Sequence, residues 1–360
     1  MTGAICAFVS FVVSSLMLPY IIQLASKHGL FDSTGGRKIH SGKIPRLGGI
    51  GIALGWTAGL LATLFVSALL NPGAVSFPPR FLIIIGAGLI FHGIGLVDDI
   101  HTLRAYKKFI IQCIVALVVA LAGFRFDSIH LPFMADPIRI GWFAVPLTVF
   151  WIVGVANAFN LIDGLDGLAG GIGLIIAGVW TLIFFKVGSY LSSYFALALA
   201  GAILGFLLYN VPPALVFMGD SGSLFLGFLI SILPLLSMVE SGQGNGDSAS
   251  LLSAIALCSV PIVDTLAAIL RRFKRKVPLF TPDRKHVHHI LLDLGMSNRR
   301  ILAILYSSTA SLGSIVLIAD YLGSTGAIVL KTIGILGFVL IYRRIGKAGE
   351  SLPKPSDVSE

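Results

Sequence analysis

Charge is what this chain of 360 residues most lacks: Asp, Glu, Lys and Arg together make up 12% of it, whereas 56% is hydrophobic. A soluble domain carries about a quarter charged residues, so a water-exposed globule is excluded and the composition is that of a polytopic membrane protein. Cysteine is equally sparse. Cys6, Cys113 and Cys258 all fall in apolar runs without useful spacing, which supports neither a disulfide framework nor a metal knuckle and reads them as buried small hydrophobes. Long polar stretches are missing too. The two longest, 27–46 and 271–300, are too short to build a core of their own. The chain therefore reads as a single integral membrane domain over residues 1–345 with a cytoplasmic tail over 346–360. No internal period of 20 to 50 residues and no inverted repeat is detectable, which weakens an alternating-access transporter reading.

Apolar runs of about 20 residues are plentiful. Eleven candidate spans begin near Ala4, Leu47, Arg80, Lys108, Trp142, Leu168, Tyr190, Gly222, Ser250, Ile301 and Gly326, which predicts an all-α membrane protein of about 11 transmembrane helices. The N-terminal run has no basic leader and is too long for a signal-peptide core, so it reads as a retained first span. Net charge is +9, but its distribution is more informative than its sum. Basic residues fill alternate loops: Lys27 to Arg46, Arg104 to Lys108, Arg271 to Arg300, and Arg343 onward. The positive-inside rule makes these loops cytoplasmic and, with an odd span count, puts the N-terminus outside and the C-terminus inside. Nucleic acid is not an expected partner. Between the fourth and fifth spans, "RFDSIHLPFMADPIRIG" predicts a small outward hairpin, and "ESGQGNGDSAS" a linker. Gly51, Gly55 and Gly59 share one helix face, as close helix packing requires.

Only 17 residues are acidic, and several sit at span ends: Asp98 and Asp99 in "GLVDD", Asp163 and Asp166 in "NAFNLIDGLDGLAGG", Asp220 in "VFMGDSGS", and Asp264 in "PIVDT". A carboxylate at a span centre costs about 2.5–3.5 kcal/mol on insertion scales. On the predicted topology the first five fall together at cytoplasmic helix ends, which points to a cytoplasm-facing active site. Carboxylates gathered this densely repel unless a divalent cation neutralises them, and an all-oxygen donor set suits magnesium, with manganese as the second choice. Magnesium in turn commonly accompanies a phosphate-bearing substrate. Asp98 and Asp99 lie about 100° apart on a helix, so one can face metal and the other a proton; the plain alternative pairs this helix end with Lys107 and Lys108. Asn157, Asn160, Asp163 and Asp166 recur at every third position, and Gly164 and Gly167 then break the helix. Asp220 is placed to cap a helix N-terminus. The adjoining loop carries Asn210 and Phe217, an amide and an aromatic suited to reading and stacking on a base. Arg284, His286, His288 and His289 form a cationic loop better matched to a diphosphate than to zinc, since the histidines are too tightly spaced and cysteines are absent. Arg37, Lys38, His40 and Arg46 form a second cationic loop for a lipid phosphate or an anionic headgroup.

Taken in order, "RKIHSGKIPRLGG", "GLVDD", "NAFNLIDGLDGLAGG", "FMGDSGSLFLG", "PIVDT" and "DRKHVHHILLDLG" resemble the polyprenyl-phosphate N-acetylhexosamine-1-phosphate transferases, the bacterial family of MraY, WecA and TagO. The resemblance implies a bundle of ten or eleven helices, often dimeric, in the bacterial inner membrane. It implies transfer of a sugar-1-phosphate from a UDP-sugar to a polyprenyl phosphate, with UMP released and Mg²⁺ required. By motif, Asp98 is implied to deprotonate or orient the lipid phosphate, with Asp99 its partner near the metal. Asp220 is implied as principal metal ligand, with Asp163 also on the metal side. Asn160, Asp163, Asp166, Asn210 and Phe217 are implied to line the nucleotide, and the histidine loop to meet the diphosphate. Asp264 receives no role. "HVHH" and "KIPRLGG" are similar to the WecA and TagO pattern, which implies UDP-N-acetylglucosamine as donor; other UDP-N-acetylhexosamines and the UDP-N-acetylmuramoyl-pentapeptide are the alternatives within the family. A transporter for a lipid-linked sugar or an ion is the alternative outside it.

Overall fold

The computed structural model describes residues 2–31, 44–70, 78–129, 134, 137–240, 251–278, 281, 283, 285–319 and 321–351. Arg37, Lys38, His40 and Arg284, and nearly all of the predicted linker, lie outside the described residues. Within a bilayer every backbone N–H and C=O must be satisfied inside the segment, and the apolar runs accordingly form helices. These are α1 (Thr2–Lys27), α2 (Gly48–Leu70), α3 (Pro79–His101), α4 (Ala105–Leu121), α5 (Ala144–Ile162), α6 (Leu168–Lys186), α7 (Tyr190–Asn210) and α8 (Gly219–Glu240). They are followed by α9 (Leu251–Leu257), α10 (Ser259–Lys274), α11 (Val287–Asp293), α12 (Asn298–Ala319) and α13 (Gly323–Glu350).

All eleven predicted spans are helical, but not all are full spans. Among the described residues nine helices are long and apolar enough to cross a membrane, and a tenth crossing arises if α9 and α10 are counted as one broken span. The predicted fourth span is α4, whose 17 residues give about 26 Å at 1.5 Å per residue, short of a typical hydrocarbon core of about 30 Å. The predicted ninth span turns by 81° between α9 and α10. Its cause is local: Pro261 stands three residues into α10, has no N–H to return to the preceding turn, and its ring crowds that turn's carbonyl. The tail boundary placed at 346 lies inside a helix, because α13 runs on to Glu350. The predicted hairpin is present as two short antiparallel strands, β1 (Ser128–Ile129) and β2 (Ile138–Arg139).

The hydrophobic centre is α8. Of its most apolar 18-residue stretch 89% is buried, against 17% for α13 on the periphery. Helices α2, α3, α5, α6 and α7 pack against it. Phe91 of α3 stacks on Phe228 of α8 with centroids 4.7 Å apart, and Trp56 of α2 meets Phe195 and Phe225 edge-on at 5.6 Å. The glycine face of α2 has the predicted use. A side chain at Gly51 would strike Leu18, one at Gly55 would come 2.7 Å from the Ser10 carbonyl, and one at Gly59 would strike the Ser10 hydroxyl, so these glycines seat α2 on α1.

Candidate active site

Helices α3 and α8 converge at one end of the bundle because Gly95 lets them touch: a Cβ there would collide with the Asp220 and Ser221 backbone. One turn further along α3, Asp99 is thereby brought under the first residues of α8. Its Oδ1 accepts the Asp220 N–H at 2.8 Å and its Oδ2 the Ser221 N–H at 3.0 Å. Those donors are unsatisfied within their own helix and carry its positive end, so they hold an anion well. Asp99, rather than Asp220 itself, thus caps α8.

Asp98 points the other way, toward α4. Its Oδ1 accepts the Leu103 N–H at 2.6 Å, a bond made possible by Thr102, which adopts the left-handed conformation at φ 46° that β-branched residues rarely enter. Its Oδ2 accepts from Lys108 Nζ at 2.9 Å, and the same ammonium donates to Asp220 Oδ2 at 2.8 Å. The plain alternative for Lys108 is therefore partly met and extended: the lysine joins Asp98 of α3 to Asp220 of α8, with 19% of its side chain exposed.

The chain between α5 and α6 forms the opposite wall. Here Asp163 closes α5, and Gly167 (φ 79°) turns the backbone into α6 in a conformation that glycine adopts without cost. Asp166 Oδ2 accepts the Ala214 N–H at 3.1 Å, and Asn210 Oδ1 accepts the Gly167 N–H at 2.8 Å. The Asn210 amide donates in turn to the Val216 carbonyl at 2.8 Å. Both Asp166 and Asn210, predicted to line a nucleotide, thus brace the two loops that frame the cleft. Tyr306 of α12 completes the brace by donating to the Gly167 carbonyl at 2.6 Å. Asn160 donates to Ser223 at 2.9 Å, within reach of Asp220's helix, whereas Asn157 bonds to Gln112 at 2.6 Å on the α4 side. The backbone of the 44–49 segment runs alongside the Phe217 loop, with Phe217 N–H on the Pro45 carbonyl at 2.8 Å and Gly48 N–H on the Phe217 carbonyl at 3.0 Å. This pairing brings Arg46 into the electrostatic neighbourhood of Asp163.

Enclosure by protein pushes the Asp163 carboxyl up to about 8, and the negative fields of Asp220 and Asp99 add to the rise while Arg46 opposes it. When Asp163 is ionised, four carboxylates (Asp98, Asp99, Asp163, Asp220) face two cations, Lys108 and Arg46. The site is short of positive charge.

Three imidazoles close the cleft from the side of α11. His286 and His288 lie nearly parallel at 6.0 Å, and His288 and His289 stand 4.3 Å apart. His288 is 1% exposed, neither of its ring nitrogens has a hydrogen-bond partner, and its Nε2 sits where a side chain on Gly164 would have to be. Burial, reinforced by His289, pushes its imidazole down to about 3, so it is neutral at physiological pH. Behind this row, Asp264 is fully buried and accepts three bonds: from His286 Nδ1 at 2.6 Å, from the Val287 N–H at 2.8 Å and from the Tyr342 hydroxyl at 2.8 Å. Arg271 grips Asp283 through Nε at 2.9 Å and a terminal nitrogen at 2.7 Å, tying the start of the same loop to α10.

Among the described residues no three carboxylate, imidazole or thiol groups converge as a ready-made metal cage. The donors nevertheless suit a hard cation. They are all oxygens and, once Asp163 is ionised, carry an excess of two negative charges, and magnesium takes only one or two protein carboxylates while keeping water and substrate oxygens. Of the predicted site residues, Asp98, Asp99, Asp163, Asp220, Asn160 and Arg46 meet around one cleft, with Asp166, Asn210 and Phe217 in its framing loops. His286, His288 and His289 reach the cleft through the contact of His288 with Gly164. Lys108 carried a sequence signal as a helix-end cation; Tyr306 and Tyr342, on helices remote in sequence, carried none.

Residues 81–238 match the family described as glycosyl transferase family 4. The chain is 38% identical over 328 residues, 90% of its length and 85% of the relative's, to a probable undecaprenyl-phosphate N-acetylglucosaminyl 1-phosphate transferase of Bacillus subtilis. It is 33% identical over 331 residues, 85% of its length and 81% of the relative's, to the decaprenyl-phosphate N-acetylglucosaminephosphotransferase of Mycobacterium leprae. With the undecaprenyl-phosphate alpha-N-acetylglucosaminyl 1-phosphate transferase of Escherichia coli K12 it shares 29% identity over 337 residues, 92% of its length and 87% of the relative's. A match of this extent makes the chain a member of glycosyl transferase family 4, the family of these polyprenyl-phosphate N-acetylglucosamine-1-phosphate transferases.

Proposed function

We propose that the protein transfers N-acetylglucosamine-1-phosphate from UDP-N-acetylglucosamine to a polyprenyl phosphate, undecaprenyl phosphate in particular, and releases UMP. The observation that carries this reading is the cleft in which Asp98, Asp99 and Asp220 are locked together across α3, α4 and α8, in a chain that aligns with transferases of that name over most of its length. The site faces the cytoplasm of the inner membrane, since the basic loops lie at its end of the bundle.

A lipid phosphate oxygen attacks the β-phosphorus of the UDP-sugar in line; the new Pβ–O bond forms as the bond to the α-phosphate oxygen breaks, and UMP departs with that oxygen. Asp98, held by Leu103 N–H and Lys108, orients the incoming phosphate and takes its remaining proton. Lys108 and Arg46 hold negative charge during the exchange, and the histidine row receives the diphosphate. The α5–α6 turn and the Phe217 loop cradle the uridine. Asp220 and Asp163, with Asp99 behind them, would hold Mg²⁺, which when bound supplies charge neutralisation for the phosphates; Mn²⁺ would fit the same oxygen donors. Transfer is followed by incubating purified protein with labelled UDP-N-acetylglucosamine, polyprenyl phosphate and Mg²⁺. UMP and lipid-linked sugar diphosphate form together, and omission of the lipid leaves the donor intact with no label on the protein. Covalent labelling of the protein in the absence of lipid would replace the single displacement with a phospho-enzyme route.

A further inference from the structure

Asp264 is a buried carboxylate in the bent segment of the fold, outside the cluster of carboxylates that faces the cleft. Its oxygens are fully committed: Oδ2 to His286 Nδ1, Oδ1 to both the Val287 N–H and the Tyr342 hydroxyl. A carboxylate receiving Nδ1–H fixes the imidazole's tautomer and orientation, leaving Nε2 as the nitrogen that can meet a ligand. Three separate pieces of chain are needed for this. Asp264 comes from α10 beyond the 81° bend, His286 from the cap of α11, and Tyr342 from α13, the most lipid-exposed helix of the bundle.

We propose that Asp264 and Tyr342 are positioning residues for the transfer reaction: the pair holds His286 so that its Nε2 edge faces the diphosphate of the sugar-nucleotide. The consequence for rate rests on the transferase reading above, whereas the geometry of the dyad does not. The charged and titratable groups around His286 are Asp264 and Arg271 from α10, Asp283 and Lys285 from the preceding loop, His288 and His289 from α11, and Tyr342 from α13. Arg271 is neutralised by Asp283, so Asp264 is the anion in direct contact with the imidazole. The bend in α10 gains a use from this arrangement. It carries Asp264 to a place where the periphery of the bundle can brace the histidine loop.

Two isosteric variants separate positioning from mere structure. Tyr342→Phe keeps the ring and deletes one bond to Asp264, leaving that carboxylate free to shift and the imidazole less firmly oriented. Turnover then falls about fivefold for one lost hydrogen bond, with KM for the UDP-sugar unchanged. Asp264→Asn replaces a carboxylate oxygen with an amide and weakens the hold on His286 Nδ1–H, so turnover falls at least as far with KM again unchanged. Tyr342→Phe added to His286→Gln costs nothing further, because the residue it acts through is gone. A loss carried by KM with kcat unchanged, or a further loss when Tyr342→Phe is added to His286→Gln, would overturn the proposal. Histidine ¹⁵N spectra test the dyad apart from activity. The wild-type protein shows His286 protonated at Nδ1, and Asp264→Asn loses that signature; an Nε2–H tautomer in the wild type refutes the dyad. A wild-type protein that releases no UMP yet shows the Nδ1–H signature would instead reject the transferase reading and keep the dyad.

Discussion

Lys108→Met is the perturbation whose effect follows most directly from the geometry. The ammonium donates to Asp98 at 2.9 Å and to Asp220 at 2.8 Å, and methionine keeps the apolar stem while deleting both bonds. Hydrogen bonds between charged groups contribute about 1.5–3 kcal/mol each. With 19% of the Lys108 side chain exposed, solvent screens the pair and the lower value applies, which gives roughly 3 kcal/mol for the two together. If both persist while the phosphoryl group is in transit, kcat/KM falls about 100-fold, at roughly 1.4 kcal/mol per factor of ten. The melting temperature should change little, because Asp98 and Asp220 regain water at the mouth of the cleft. Continuous detection of UMP release measures the rate. Because one nitrogen serves both carboxylates, Lys108→Met and Asp98→Asn share much of their effect, and the double variant should lose no more than a few-fold beyond the worse single one. A loss below about fivefold, or fully multiplicative effects in the double variant, would refute the idea that Lys108 couples the two aspartates.

The other expectations are more local. Gly164→Ala places a methyl group on His288 Nε2, so activity drops about tenfold or more by displacing the ring, and His288→Ala in the same chain removes the collision, leaving the double variant no worse than His288→Ala alone. Tyr306→Phe deletes the bond to the Gly167 carbonyl, about 1 kcal/mol, and should raise KM for the UDP-sugar about fivefold with kcat nearly unchanged. Asp163, pushed up to about 8 when folded from the ordinary aspartate value of 3.8, binds a proton in the native state that the unfolded chain releases. The folded state therefore holds more protons across that interval, so the stability of metal-stripped protein declines as pH rises from about 4 to about 8. Asp163→Asn flattens this decline, and thermal unfolding in EDTA across the pH range reads both.

The sequence made the helices legible because a bilayer permits so little else: an apolar run of sufficient length has one way to satisfy its backbone. The α2 glycines and the strand pairing of the hairpin were likewise readable, since their signals are local. The bend at Cys258 had its cause in view, in Pro261, yet its size depends on what α10 packs against. The cleft carboxylates could be picked out because charge is so expensive in this composition. What each one touches was not legible. Asp99 caps α8 in place of Asp220, and Asn210 braces Gly167 through its amide, because partners more than a hundred, or some forty, residues away complete these bonds. Tyr306 and Tyr342 look like ordinary aromatic residues on apolar helices, and only the assembled bundle gives their hydroxyls an acceptor.

The most direct test of the central claim is product analysis with purified protein, UDP-N-acetylglucosamine, undecaprenyl phosphate and Mg²⁺. The cleft described here predicts UMP and lipid-linked N-acetylglucosamine diphosphate in equal amounts, abolished by Asp220→Asn. Absence of UMP from the wild-type protein, or an Asp220→Asn variant as active as wild type, would contradict it.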